Sequence, residues 1–583
     1  MLIIAEKPSV ARKISSFLSN NNFRKIYFSK NMSYYFFKKD NKNIFVVPSI
    51  GHLFTISDLN NKYTYPTFNY KWVPSYVEDG IKIKKLYIYM LSKFRNENEI
   101  IIATDYDIEG ELIGYNILRF ILNKNSAKRM IFSAITYKDI LRAYNNLGNL
   151  NVGYYLAGET RHIVDWLYGI NLSRALTRAI RHYNKNIILS IGRVQGPTLK
   201  LVYLREREIK EFVPEEYYKL EAIVKKEGKL IKFLYKKEKI ENKDEAIKIK
   251  ESIGKYLNVL NIESKKLTID PLHPYNLTDI QVDAYKLYKI SPKNTLDILQ
   301  SLYERGYVSY PRTSSQRLPD TINFREIFEN LLSLKNYKTY IEKILKKEYL
   351  KPNNGKKDDV HPAIHPTGVI PENLNKKEFL IYDLVVRRFI ATFSDPAVEI
   401  HYKINTKEGF YYEYKNILDK GWIDVYWEIM KYNYENNRFY EGEKLEILKL
   451  NIRKTKTKPP SRYNQASLVK RMEELNLGTK STRAEIVSIL FKRNYVKGKS
   501  IYLTELGEKI IEILEKYYPE ILDIGLTRKL EEKLDRLEKN PKEEIKEEII
   551  NEVKEILKNV LTDFKNKEEK IGEEIYSIIK GKG

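Results

Sequence analysis

Two short apolar runs each end on acids, and that pattern constrains the whole chain. Leu2–Ala5 stops at Glu6-Lys7-Pro8-Ser9, and Ile100–Ala103 stops at Thr104-Asp105-Tyr106-Asp107-Ile108-Glu109-Gly110-Glu111. Four apolar residues without polar alternation read as a strand buried on both faces, the habit of parallel strands covered by helices. After the first run, Pro8 and the apolar spacing Val10, Ile14, Phe17, Leu18 predict a helix. Both acid groups then stand at the C-terminal ends of strands, where open α/β sheets keep their chemistry. In an extended segment alternate residues share a side, so Asp105 and Asp107 point together, and a turn at Ile108–Gly110 brings Glu109 to them. Three carboxylates there suit a hard cation such as Mg2+. The same residues also suit a solvated acidic turn or a helix N-cap. Glu6 and Lys7 equally suit an exposed ion pair. The residues alone leave these readings open.

At 583 residues the chain exceeds one core, and about three or four domains are expected. Its 43% hydrophobic content is enough for packed interiors. A net charge of +25 points to a polyanionic partner, nucleic acid first. The 46 tyrosines could stack on unpaired bases, although most of them suit cores or reflect biased codon usage. There are no cysteines, which excludes disulfides, thiol catalysis and Cys-ligated zinc. No apolar run approaches the roughly 18 residues that span a bilayer. The N-terminus has no cationic lead and no cleavable apolar core, so an intracellular, cytoplasmic protein is expected.

Along the chain, residues 23–80 read as strands and an aromatic loop holding Gly51-His52-Leu53, residues 81–95 as helix, and Ile131–Ile135 as a further strand. Residues 155–210 turn helical. Arg161, Arg174, Arg178 and Arg181 fall at spacings that share a helix face, and Gly192-Arg193-Val194-Gln195-Gly196-Pro197 opens the next helix, a natural phosphate seat. A solvated basic face is the plainer alternative. Residues 215–270 alternate as a sheet with one wet face, residues 277–395 return to helix, and residues 397–450 could complete the earlier sheet. Lys454–Pro460 reads as a basic linker. Arg528–Gly583 reads as a solvated helical hairpin. Helix, sheet, helix, sheet, helix is the order that nested insertions would give.

These segments, in this order, resemble the type IA DNA topoisomerases. EKPSVAR and ATDYDIEGE resemble the two halves of the family's Toprim domain. DWLYGINLSRALT and GRVQGPTLKLV resemble its gate base, and YVSYPRTSS resembles the motif of its nucleophilic tyrosine. HPAIHPTG resembles the active-site histidine motif, and RYNQASLVKRMEELNLGTKSTRAEIVSILFKRNYV the returning half of the gate base. The similarity runs from residue 2 to about 540. EKPSVAR and GTKSTRAEI look more like the topoisomerase III branch, archaeal type. Departures are Gly196, where many relatives carry Thr, and the expected absence of a zinc-finger tail and of a helicase module.

The resemblance implies a multidomain protein of α/β, α and β parts forming a torus around a central hole. It implies a Toprim domain at 1–150, gate base at 151–213 and 456–583, a β-rich arch at 214–274 and 397–455, and a helical tyrosine domain at 275–396. It implies that Tyr310 attacks a DNA phosphate and becomes linked to the 5′ phosphate, with no ATP. Arg312 would bind the phosphate oxygens, His361 would orient the phosphate (His365 less securely), and Lys7 would touch it. Glu6 would protonate the leaving 3′ oxygen and join the metal, with its pKa raised by Asp105 and Asp107. Asp105, Asp107 and Glu109 would hold Mg2+, with Mn2+ as a substitute and no zinc. Arg161, Arg174, Arg193, Gln195, Thr482 and Arg493 would guide single-stranded DNA. A monomer is expected, with no membrane partner and with a helicase or single-strand-binding protein as helper. The rival readings are a Toprim primase, which leaves YVSYPRTSS unexplained, a Toprim nuclease, in which water rather than Tyr310 attacks, and the topoisomerase subunit of a split reverse gyrase.

Overall fold

The structure is a computed structural model and describes residues 1–58, 64–183, 187–358 and 360–580. In its first part lies a seven-stranded sheet. The order is Arg24–Ser29, Met32–Lys39, Lys42–Pro48, Leu2–Ala5, Ile100–Ala103, Lys128–Arg129, Gly148–Asn149. Leu2–Ala5 runs parallel to both Lys42–Pro48 and Ile100–Ala103. Every residue of the two apolar runs is at most 5% exposed. Alternation divides them between two cores. Ile3, Ala5, Ile101 and Ala103 join Val10 and Ile14 on one face, while Leu2, Ile4, Ile100 and Ile102 join Met90 and Ile113 on the other. Burial of each such Ile or Leu stabilises the fold by roughly 1.5–3 kcal/mol.

The strand expected at Ile131–Ile135 is not formed. The ladder takes Lys128–Arg129 instead, paired with Ile101 and Ile102. The chain then leaves the sheet, because its carbonyls are claimed elsewhere. Ser133 O accepts the Tyr310 N–H at 2.8 Å. This crossing explains why the core holding Ile3 and Ile101 continues without a break into Leu302, Val308 and Tyr310.

Strands from two distant segments close one barrel, in the order Glu216–Lys226, Lys229–Tyr235, Phe410–Asp419, Ala397–Thr406, Tyr256–Ile269, Lys444–Lys456. Leu220, Val224, Phe233, Val259, Ile404 and Phe410 fill it. Tyr256–Ile269 and Ala397–Thr406 are antiparallel neighbours, with Ile269 facing Ala397 at their end. The helices between Leu277 and Phe393 hang from that stem. Lys454 and Lys456, expected in a linker, lie instead in the last strand, where both pair with Glu216.

Val152–Arg181 is one helix of 30 residues. The C-terminal stretch is not a solvated hairpin. It forms three helices, Ile524–Lys539, Glu543–Asn566 and Glu568–Lys580. Its apolar stripe, with Leu534, Val553, Leu557 and Phe564, is buried in the same core as Ile163, Leu167 and Leu176 of the long helix. A stripe that wide finds its partner in the long helix rather than in a second arm of its own.

Candidate active site

The acid loop is held open by a buried ion pair. Arg129 and Glu111 are both fully buried and meet at 2.8 Å. Arg129 also donates to the carbonyls of Ile102, Met130 and Asp105, and Glu111 accepts from Asn151 N. Gly110 packs on the same turn so closely that a Cβ there would lie 2.0 Å from Asp105 O. Only glycine fits, and this fixes where the carboxylates stand.

Asp107 does two jobs. It is the N-cap of the Ile108–Ile117 helix, with Oδ1 accepting from Gly110 N at 2.8 Å. Its Oδ2 accepts the Tyr310 hydroxyl at 2.5 Å. One oxygen of Asp107 thus caps the helix and the other faces Tyr310. Tyr310 is 1% exposed. Arg312 Nη1 reaches its hydroxyl at 3.2 Å, and the His361 ring lies 4.5 Å away, centroid to centroid. His361 is fixed by Ser133 Oγ at 2.9 Å and Tyr106 O at 2.8 Å.

Burial, then the charge of Asp107, pushes the Tyr310 pKa well above its ordinary value, and Arg312 opposes this. Burial pushes His361 down to about 4, so it is neutral here. Glu6 is pushed up to about 8 by burial and by repulsion from Asp105 and Asp107, with Arg312 and Lys7 opposing. Asp105 rises to about 6 through burial and the charge of Asp107. The Asp105 N–H donates to Glu6 Oε2 at 3.2 Å.

Carboxylates buried side by side in this way favour a cation between them. The donor set of Glu6, Asp105 and Asp107, all oxygen, suits a hard divalent ion. Glu109 does not converge with them as expected. The expected turn is present as the start of the Ile108–Ile117 helix, but Glu109 Oε2 is engaged by His52 Nε2 at 2.9 Å. Its side chain is 38% exposed, to the cavity described below. Burial there raises its pKa, but the His52 hydrogen bond, with the charges of His52, His162 and Arg161, outweighs this and holds it at about 2. Among the described residues no three acids or histidines are gathered as a formed metal centre.

Lys7 is also held elsewhere. Its ammonium pairs with Glu304 of the Pro292–Glu304 helix. Gln300 of that helix reaches Asp105 at 3.4 Å, and the Tyr303 ring packs on Tyr310 at 5.2 Å. Gln300, Tyr303, Glu304, Ser133 and His52 were not found from the sequence as site residues. For the helix residues the available signal was their position six to ten places ahead of Tyr310. Gly51-His52-Leu53 carried no chemistry without its partner.

A cavity of about 580 Å3 opens beside the acids, lined by Glu6, Asp107, Glu109 and Arg312 together with Arg161, Arg193, Gln195 and Thr482. The two arginines share one acid. Arg161 Nη1 and Arg193 Nη1 each meet Glu531 at 2.7 Å, and Arg193 Nε also meets Asp165 at 2.6 Å. Gln195 donates to Ser190 O, and Thr482 Oγ1 lies near Thr479 Oγ1. The expected strand-guiding set is not gathered whole. Arg174 is tied to Asp58 and Thr64 O, away from this wall. Arg493 is the C-cap of the Arg483–Lys492 helix, is exposed, and is absent from the cavity lining. His365 is buried behind the site, with Nδ1 on Pro366 O. No helix of the described residues is long and apolar enough to cross a membrane.

Residues 149–548 match the DNA topoisomerase family, and residues 1–135 match the Toprim domain, a domain that generally binds Mg2+. The chain is 43% identical to DNA topoisomerase 1 of Pyrococcus horikoshii, over 100% of this chain and 86% of that protein. It is 42% identical to DNA topoisomerase 1 of Methanocaldococcus jannaschii, over 99% and 76%. Among solved structures, full-length topoisomerase I from Thermotoga maritima superposes with a TM-score of 0.74 at 26% identity, covering 96% of this chain and 90% of that one. With the two family matches spanning both sides of a site in which a buried tyrosine faces strand-end acids, the chain belongs to the type IA DNA topoisomerases.

Proposed function

We propose that Tyr310 cuts one DNA strand and reseals it, relaxing or decatenating DNA without ATP. The observation that carries this is the meeting of Tyr310 with Asp107, 203 residues earlier, with Arg312 at the same hydroxyl and the His361 ring against the tyrosine ring. The Tyr310 oxygen forms a bond to phosphorus while the bond from phosphorus to the 3′ oxygen breaks. One ester replaces another, so the step needs no external energy source. Asp107 takes up the phenol's proton along their hydrogen bond, Arg312 steadies the developing phenolate and the phosphate oxygens, and Glu6 delivers a proton to the departing 3′ oxygen. His361, neutral, offers a hydrogen bond without adding charge. Lys7 joins the phosphate on leaving Glu304.

Glu6, Asp105 and Asp107 would hold the Mg2+, with Glu109 joining if His52 releases it. Bound there, the ion would supply positive charge beside the phosphate and the 3′ end. Arg193, Arg161, Gln195 and Thr482 would lead the strand in. GTKSTRAEI and EKPSVAR favour the topoisomerase III branch, archaeal type, acting on the DNA of the cytoplasm as a monomer with a helicase or single-strand-binding protein. The domain limits set out above are part of this reading, as is the torus.

Labelled single-stranded oligonucleotide mixed with protein and Mg2+, then quenched with denaturant, should yield a covalent adduct. Tyr310→Phe should yield none. Free 5′ phosphates without an adduct would mean that water attacks and that the chain acts as a nuclease.

A further inference from the structure

A second cleft lies on the other side of the nucleophile. It measures about 940 Å3, within the range of spaces that hold a sizeable ligand. One wall is the Toprim-side segment from Ser133 to Arg142. The rest comes from Ser315–Asn330 and Lys357–Val369, on the same helical part as Tyr310. No residue lines both this cleft and the cavity beside the acids. Tyr310 is the partition between them. Its hydroxyl faces Asp107 and Arg312, which line the first cavity, while its ring packs on His361 and its N–H is held by Ser133 O, which belong to the second.

The charges of this cleft favour an anion. Its acids are all engaged. Asp139 meets Arg142 at 2.7 Å, Glu326 meets Lys138 at 2.6 Å, and Asp358 meets Lys480 at 2.8 Å. The histidines of the floor are held toward neutrality by burial. Arg317 is different. Its side chain is exposed and has no ion-pair or hydrogen-bond partner among the described residues. Its backbone, by contrast, is pinned. Arg317 N donates to Ser315 Oγ at 3.1 Å, and Arg317 O accepts from Ala363 N at 2.8 Å. The result is a free guanidinium on a fixed stem, set for a phosphate.

A strand that lies in the first cavity and presents a phosphate to Tyr310 has to continue beyond it, and this cleft is the space that adjoins the far side. We propose that the cleft holds the segment of the cut strand 3′ to the break, with Arg317 gripping its backbone phosphate. The proposal rests on the Tyr310 reading above. It gives that reading a mechanical consequence. The fragment bonded to Tyr310 is held mostly by walls continuous with Tyr310, so it travels with the tyrosine when the two parts separate. The 3′-hydroxyl fragment stays with Arg193, Gln195 and the acids.

The test uses oligonucleotides of one upstream sequence, with either one or six nucleotides beyond the cleavage position. Affinity is read with full-length Tyr310→Phe protein, and adduct yield with the otherwise native protein. The longer substrate should bind about 10-fold tighter. Arg317→Ala should reduce that advantage below about 2-fold while leaving the shorter substrate unchanged, and should lower the salt slope on the longer one by about 0.7. Arg317→Lys should restore most of it. Equal weakening of both substrates by Arg317→Ala, or no length advantage in the native site, overturns the proposal. Adduct with the one-nucleotide substrate keeps the Tyr310 reading intact in either case, whereas loss of the adduct with both substrates removes that reading itself.

Discussion

Lys480 Nζ meets Asp358 Oδ2 at 2.8 Å, and that contact ties the loop before the Arg483–Lys492 helix to the segment that leads into His361. Asp358 also accepts from Ser314 N and Oγ, four residues after Tyr310. Burial raises the Asp358 pKa, but Lys480 and Ser314 outweigh it and hold the carboxyl well below its ordinary value. If the two parts separate at this point to let a strand pass, the tie has to break. The chain has no cysteine, so a pair introduced as Asp358→Cys and Lys480→Cys can be joined cleanly by a short bis-maleimide. The joined protein should still form an adduct with an oligonucleotide but should lose relaxation of supercoiled plasmid. Full relaxation by the joined protein would mean that the parts open elsewhere.

The Arg129–Glu111 pair predicts a stability defect with no charge change on the reacting atoms. Both side chains are fully buried. Glu111→Gln leaves Arg129 without its counter-charge in a dry site, a loss of about 3–5 kcal/mol. Urea unfolding followed by tryptophan fluorescence should show the first transition moved to lower denaturant. A loss under about 1 kcal/mol would show that the carbonyls of Ile102, Met130 and Asp105 satisfy Arg129 unaided.

Much of this site could be read ahead of the structure because each half is local. A four-residue apolar run ending in acids, and Tyr310 two residues from Arg312, are short-range patterns. What could not be read was which partner each charged group chooses. Glu109 looked like a third ligand because a turn at Ile108–Gly110 would bring it to Asp105 and Asp107; the turn is there as the start of a helix, but the carboxylate is taken by His52, 57 residues earlier. Lys7 and Arg161 looked free because Glu304 and Glu531 lie 297 and 370 residues away. Arg174 likewise found Asp58 across 116 residues. The barrel was visible only as two alternating stretches, since closure depends on pairing Glu216–Lys226 with Lys444–Lys456.

His365 predicts a pH response. It is buried on Pro366 O, and burial lowers its pKa, with Asp139 and the Pro366 carbonyl opposing. A depressed value means that the unfolded chain takes up the proton first. The stability is therefore complete above the ordinary histidine pKa of about 6.5 and is lost as pH falls through the folded value. His361 adds a loss of the same sign toward its value of about 4. His365→Asn can keep the bond to Pro366 O without the titration. Thermal unfolding compared at pH 7 and pH 5 should show a smaller drop for His365→Asn than for the native chain. Equal drops would assign the acid sensitivity to other groups.

Asp107 separates folding from chemistry most sharply, because its two oxygens serve different partners. Asn at this position still caps the Ile108–Ile117 helix, since Asn and Asp are equally good N-caps. It loses the negative oxygen that receives the Tyr310 hydroxyl. Asp107→Asn should therefore unfold at nearly the native temperature while single-turnover adduct formation falls by about 10^2-fold or more, the range for losing a group that takes part in proton movement. Asp107→Ala should lose the same rate and, in addition, about 1 kcal/mol of helix capping, seen as a lower unfolding temperature. If Asp107→Asn forms adduct within about 3-fold of the native rate, the Tyr310–Asp107 contact is a resting arrangement and the phenol is activated by Arg312 alone.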